Sequence, residues 1–312
     1  MPFAAAWGTS LSSTGRRGRG GVEKNRFPLS GFTDKLASMQ RHLHTLRAGL
    51  AALVTLAALS AHAQCSRVIN VPMSATGLSV VVNGDAVSGI YPDLLRVMSD
   101  KEKCTFAMTA VPRARLEVLF ESGRADVLMP ASKTPKRDAL GTFVALIQNR
   151  ALLMSIQSKR PAIGSVRELL EQTNLKVAVV RGFDYGQPYQ DLIAALGQQG
   201  RLILEVDALS VARLLKAGTV DVTIMAPTIL AGAVQGDERV RDMVDTLRME
   251  PLEELPWGTS GVYLSNTSLS PTDKTALLEA MERAAKSGDV WKSFQRYYSP
   301  AVLKSSIRPL PR

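Results

Sequence analysis

Residues 123–137 read GRADVLMPASKTPKR, and the reading of the fold starts there. A short apolar run, 127–129, follows Asp126 and enters a small polar turn that ends at Arg137. The pattern describes a buried strand that delivers hydroxyls, backbone amides and one cation to a single lip, as an anion-binding site requires. Just upstream, residues 113–122 carry Leu116, Leu119 and Phe120 at helical spacing, with Gly123 as the stop. The unit therefore reads helix, turn, strand, binding loop. If the strand is parallel, the loop lies at its carboxyl end, where open sheets bind ligands. The competing reading is an ordinary strand and turn, with Arg137 solvated on the following helix.

Working outward, the same grammar repeats. Upstream lie strand-like residues 67–71, a turn at 72–77, an apolar stretch at 78–82 and the Asn83-Gly84 turn. Then Gly89-Ile90-Tyr91-Pro92-Asp93 leads into a helix with Leu94, Leu95, Val97 and Met98, followed by a strand over 104–110. Downstream, strands are predicted at 150–157, 176–180, 202–206 and 220–226, and helices at 166–171, 189–196 and 210–216. The segments ESGRADVLMPAS (121–132) and KAGTVDVTIMAP (216–227) share helix end, glycine, aspartate and apolar strand. Alternating strands and helices imply two similarly wound, mostly parallel sheets that offer strand-end loops to a shared cleft. Asp126 and Asp221 occupy matching scaffold positions, so they read as backbone hydrogen-bonding groups and not as a paired general acid and base. After a turn-rich crossing at 249–258, a strand at 260–264 and helices at 270–285 and 290–298 are expected. Trp291, Phe294 and Tyr298 form an aromatic stripe there, read as packing, with a partner-docking face as the alternative.

The amino-terminal quarter follows different rules. Residues 1–38 carry RRGRGG and little apolar periodicity, and they read as a non-structural upstream extension. Residues 39–63 have Arg41 and Arg47 before an apolar core at 48–59, then Ala61-His62-Ala63, the small-residue pattern that a signal peptidase accepts. A retained membrane anchor is the alternative, but the apolar core falls short of the roughly 20 residues that span a bilayer. A lipid anchor on Cys65 is disfavoured by Gln64 before it. Cleavage near Ala63 leaves 249 residues, of which 30 are Lys or Arg and 26 are Asp or Glu. The net charge falls from +10 to +4, which weakens any case for nucleic-acid binding. His42, His44 and His62 all lie in the removed part, so a histidine metal site or triad is not expected, and no cofactor or metal is. Cys65 and Cys104 survive the cut, and two cysteines in an exported chain predict a disulfide, with two free thiols as the alternative.

Taken in order, GIYPDLLRVM, VPRARLEVLFESGRADVLM, PASKTPKR, KVAVVRGFDYG and LLKAGTVDVTIMAP make the mature span resemble the bacterial extracellular solute-binding proteins that serve polar amino-acid ABC transporters (family 3). The resemblance implies an α/β, two-lobed type II periplasmic-binding-protein-like fold. Its segments are 64–151 for the first part of lobe 1, 152–256 for lobe 2, and 257–312 for the return to lobe 1 with terminal helices. It implies that Ser132 supplies the ligand-loop hydroxyl and that Arg137 receives a carboxylate, a task suited to a planar fork. The amides near Gly182, Phe183 and Asp184 would receive an oxygen from the opposite lobe. Members that bind α-amino acids usually offer an acid after the last strand of lobe 2, where this chain has Ala226. A standard α-amino acid is therefore doubtful unless Asp184 or Asp93 holds its amine. Further candidates are Arg113 and Arg115 at the helix start, and Tyr91, Phe183 and Tyr185 as stacking groups.

The expectation is a monomeric, soluble periplasmic protein that captures a small polar or aromatic carboxylate and hands it to the membrane permease of an ABC transporter. Two alternatives stand beside it: an extracytoplasmic sensor or partner-docking protein, and a dehydratase-like enzyme acting on a cyclic acid. No catalytic residue is assigned.

Overall fold

The computed structural model describes residues 65–311, so the leader reading at 1–63 lies outside the described residues. Strand β1 (Ile69–Met73) pairs in parallel with β4 (Phe106–Ala110). Between them come the hairpin β2 (Val81–Asn83) and β3 (Ala86–Ser88), then helix α1 (Ile90–Glu102). Helix α2 (Arg113–Glu121) feeds β5 (Val127–Ser132), and a single turn, α3 (Pro135–Asp138), leads to β6 (Gly141–Asn149). Thr134 caps that turn by accepting a hydrogen bond from the Arg137 backbone amide at 3.4 Å.

The chain then crosses into a second sheet, built from β7 (Leu152–Ile156), β8 (Val177–Val180), β9 (Leu202–Glu205), β10 (Val222–Met225) and β11 (Leu247–Glu250). Their spatial order is β11-β7-β10-β8-β9. The β10–β8–β9 core is parallel, and β7 and β11 join antiparallel at its edge. Helices α4 (Val166–Glu171), α5 (Gln187–Gln198), α6 (Ala208–Lys216) and α7 (Pro227–Val234) flank it. Ser165 and Asp207 cap α4 and α6 through their side-chain oxygens. Alternation along the strands supplies both faces: Leu152 and Met154 pack with Val211 and Leu230, whereas Leu153 packs with Tyr189 and Leu192.

The chain returns as β12 (Gly258–Ser265), which lies antiparallel between β5 and β6. Helices α8 (Pro271–Ser287), α9 (Asp289–Tyr297) and α10 (Pro300–Ser306) follow, and β13 (Ile307–Arg308) closes the edge of the four-stranded sheet β13-β6-β12-β5. The result is the two-lobed α/β architecture expected from the sequence, but lobe 1 is less parallel than expected: its four-stranded sheet is antiparallel throughout because the return strand inserts between β5 and β6, and only β1 and β4 pair in parallel there. The two crossings, at 149–152 and 250–258, are braced where Trp257 is sandwiched by Arg150 at 4.8 Å and Arg308 at 4.3 Å. Cys65 and Cys104 form the disulfide, tying the segments that enter β1 and β4. With a sequence separation of 39 between its cysteines, chain entropy assigns it roughly 3 to 4 kcal/mol.

Elements form where the sequence reading placed none at β3, β6, α7, β11, and α10 with β13. Helix α7, PTILAGAV, is buried almost all round, so it has no polar face to mark its period. Asp126 and Asp221 play parallel roles: each carboxylate accepts from the backbone amide at the start of a neighbouring strand, Asn70 and Lys176, both at 2.7 Å.

Candidate functional site

The ends of β5 and β10 face one another across the lobes. An inner cavity of about 50 Å³ lies between them, lined by Tyr91, Arg113, Ser132, Tyr185, Ala226 and Ser260 among others. Water-sized space of about 10–15 Å³ per molecule makes this room for a few heavy atoms. A second, outer chamber of about 320 Å³ lies against Glu117, Arg137, Arg181, Gly182, Tyr189 and Gln190. Phe183 and Asp184 border both chambers.

Arg113 opens α2 and is only 4% exposed. Its Nη1 donates to the Pro130 carbonyl at 3.0 Å, its Nη2 to Glu117 Oε1 at 2.5 Å, and its Nε makes a long 3.4 Å contact with the Gly182 carbonyl of the other lobe. Burial pulls the Arg113 pKa below its ordinary value, while Glu117 opposes the shift; an arginine remains charged nonetheless. Glu117 also binds Arg137, whose Nε and Nη2 reach its two oxygens at 3.2 and 2.8 Å. Burial alone would raise the Glu117 pKa, but the two guanidinium groups outweigh it and hold the carboxyl below its usual range. One acid is thus shared by two buried arginines, and one positive charge is left over.

This arrangement separates the two arginines that the sequence brings into view. Arg137 is 3% exposed, but Glu117 and the Ser132 carbonyl, which accepts from its Nη1 at 2.9 Å, take up its fork. It borders the outer chamber, and the guanidinium on the inner cavity belongs to Arg113. Ser132 lines the inner cavity, opposite Ser260 in the β5–β12 register. Gly182 borders the outer chamber, and Asp184 turns one oxygen to the Gly186 amide at 2.9 Å. The Tyr185 hydroxyl accepts from the Ala226 amide at 3.1 Å, and burial pushes its pKa up to about 12. Its own proton therefore stays on at neutral pH. Ala226 lines the inner cavity with a methyl group. Asp93 and Arg115 do not join this assembly: Asp93 pairs with Arg96 at 2.7 Å beside Tyr297, and Arg115 is exposed on α2.

Tyr91 lines the inner cavity, is 1% exposed, and among the described residues its hydroxyl has no partner at hydrogen-bond geometry, although the Ser260 side chain lies beside it. An orphaned buried hydroxyl of this kind costs free energy unless something else satisfies it. Several lining groups escaped the sequence reading. Glu117 stands four residues after Arg113, one helical turn on, and that spacing was its only signal. Thr228 and Ser260 follow or begin elements whose partners are distant in sequence, and Phe294, read as packing, is buried and also reaches the inner cavity.

The lobes meet at two backbone pinch points. A Cβ on Gly232 of α7 would lie 2.4 Å from the Leu78 amide nitrogen and 2.8 Å from the Gly77 Cα. At Gly182, which has φ +87°, a Cβ would come within 3.1 Å of Ala114 backbone atoms at the start of α2. Side chains at these positions would hold the lobes apart.

No protein-family model matches the chain, and no curated protein matches it. Solved structures do match. EhuB in complex with hydroxyectoine has a TM-score of 0.60 at 16% identity, over 77% of this chain and 92% of that one. The amino acid ABC transporter substrate-binding protein AbpA from Streptococcus pneumoniae, bound to L-arginine, has a TM-score of 0.58 at 19% identity, over 77% and 96%. A histidine kinase sensor domain with similarity to periplasmic binding proteins has a TM-score of 0.58 at 16% identity, over 76% and 97%. The chain therefore has the two-lobed periplasmic-binding-protein fold. Its amino-acid-binding neighbours define the class that it resembles in structure. Among the described residues, no helix is long and apolar enough to cross a membrane.

Proposed function

We propose that this chain is an exported solute-binding protein that holds a small carboxylate-bearing solute between its lobes and hands it to an ABC-type permease. The observation that carries the reading is the buried Arg113 guanidinium on the inner cavity, facing an opposite wall whose strand exit carries Ala226 instead of an acid. Arg113 receives the carboxylate, the Tyr91 and Ser132 hydroxyls complete its hydrogen bonds, and Phe183 and Tyr185 pack against the remainder. The absence of an acid at Ala226 disfavours an α-ammonium group, so a plain α-amino acid is not the expected ligand. Residues 64–151 and 257–312 act as one lobe and 152–256 as the other, after removal of the leader near Ala63 into the periplasm. A solute that bridges both lobes favours the closed form by the difference in its affinity for the two states.

A thermal-shift screen of amino acids, organic acids and aromatic acids tests this. Carboxylates without an amine raise the melting temperature of the purified protein, and Arg113→Gln removes the rise. A screen in which no carboxylate shifts the melting temperature overturns the proposal. A sensor role is the second reading, favoured by the likeness to a kinase sensor domain. It uses the same site, and the membrane partner that co-purifies, permease or kinase, separates the two.

A further inference from the structure

We infer that the ligand is a small dicarboxylate, one carboxylate seated in the inner cavity on Arg113 and the other in the outer chamber on Arg181 and Tyr189. This rests on the solute-binding reading above and extends it to a second contact that the sequence resemblance does not assign.

Size is the first observation. The inner cavity, about 50 Å³, takes a carboxylate head and little more. The outer chamber, about 320 Å³, has room for a chain and a second head group, and the two share Phe183 and Asp184 as a common wall. Between Arg113, on the inner cavity, and Gly182, on the outer one, the lobes are joined by the long 3.4 Å contact of Arg113 Nε with the Gly182 carbonyl, beside the close backbone approach of Gly182 to Ala114. That contact is a poor hydrogen bond, readily exchanged for a ligand oxygen.

The second observation is an orphaned hydroxyl at each chamber. Tyr91 borders the inner one and Tyr189 the outer one; each is 1% exposed, and among the described residues neither hydroxyl has a partner at hydrogen-bond geometry, although the Ser260 side chain lies beside Tyr91. Tyr189 also packs its ring on Tyr185 at 5.1 Å, which fixes its orientation. Two buried donors without acceptors call for an oxygen-rich ligand with two separated acceptor groups.

Charge is the third. The linings of the two chambers contain Arg113, Lys136, Arg137 and Arg181 against Glu117 and Asp184. Lys136 is offset by Glu121 on the surface and Glu117 is shared by Arg113 and Arg137, whereas among the described residues Arg181 forms no ion pair. Glu117 answers only one of Arg113 and Arg137, so the linings keep a net positive charge, which suits anionic groups and not an ammonium.

Calorimetric titration of the purified protein with succinate, glutarate and adipate, each against the monocarboxylate of equal chain length (butyrate, pentanoate, hexanoate), tests the inference. At least one dicarboxylate binds 10-fold or more tightly than its monocarboxylate, and Tyr189→Phe and Arg181→Gln each reduce that ratio by 5-fold or more. Equal affinity of the paired acids, or a ratio unchanged in both variants, overturns the dicarboxylate assignment while leaving the carboxylate reading standing. Failure of every acid in both series to bind overturns both. The variants are conservative in shape at Tyr189 and solvent-exposed at Arg181, and circular dichroism checks that each is folded before titration.

Discussion

The exits of β5 and β10 are built alike and then diverge. Asp126 and Asp221 each precede an apolar strand, and each fastens the backbone amide at the head of a neighbouring strand at 2.7 Å. Past the strands the chemistry differs. The β5 exit enters a polar turn whose arginine is locked by Glu117, whereas the β10 exit enters α7, an apolar helix that begins Ala226-Pro227-Thr228. The scaffold is repeated and the charge is not. Lobe 1 carries buried arginines near its exit and lobe 2, at the matching place, a wall without an acid; the selectivity proposed above rests on that asymmetry.

Removing the cation breaks the asymmetry most severely. Arg113→Ala strands the Pro130 carbonyl and takes one guanidinium from Glu117, and we expect a loss of about 3 kcal/mol in denaturant unfolding. A loss under about 1 kcal/mol would mean that the Arg113–Glu117–Arg137 cluster is not held as described. The scaffold aspartates come next. Asp126 also pairs with Arg67 at 2.7 Å and is itself buried, whereas Asp221 is exposed. Asp126→Ala is expected to cost about 2 kcal/mol and Asp221→Ala about 1 kcal/mol or less; equal costs would erase the difference between the two lobes.

Acid titration sharpens the same contrast. Burial disfavours the ionised forms of Glu117 and Asp126, but their arginine and amide partners prevail and both carboxyls have lowered pKa values in the folded protein. Groups of this kind contribute stability that is present above their unfolded pKa values, about 4, and lost as pH falls through the folded ones. Melting temperature should therefore fall as pH drops below about 4, and Glu117→Gln should flatten that fall. A steeper fall in the variant would contradict the sign. The smallest effect is expected from Ala226→Asp, which places an acid beside the Tyr185 hydroxyl. Glycine or alanine should then raise the melting temperature by a degree or two where the unmodified protein shows no shift, and continued silence toward both would show that position 226 does not govern amine recognition.

Much of the fold was legible because its strands and helices carry local signals: apolar runs bounded by turn residues, Ser165 before α4, and the glycine that ends α2. What stayed hidden depends on distant partners. β6 becomes a strand through β12, over a hundred residues later, and α7 lacks a polar face because lobe 1 covers what solvent would otherwise meet. At the site, sequence pattern brought Ser132, Phe183, Tyr185 and Ala226 into view, and the structure gathers them around one cavity. It could not rank Arg113 against Arg137. The two differ in the cavity each borders, Arg113 the inner and Arg137 the outer, and that placement arises only when α2 packs beside the β5 exit. The close approach of Gly232 to Gly77 was equally invisible, since nothing in either local sequence names the other.

The central claim is that Arg113, and not Arg137, meets the ligand. Calorimetric titration of the unmodified protein, Arg113→Gln and Arg137→Gln with the carboxylate that most raises the melting temperature tests it directly. A weakening of about 10- to 100-fold is expected for Arg113→Gln, the worth of a charge-assisted pair, and a smaller loss for Arg137→Gln. Unchanged affinity in Arg113→Gln together with abolished binding in Arg137→Gln would contradict it.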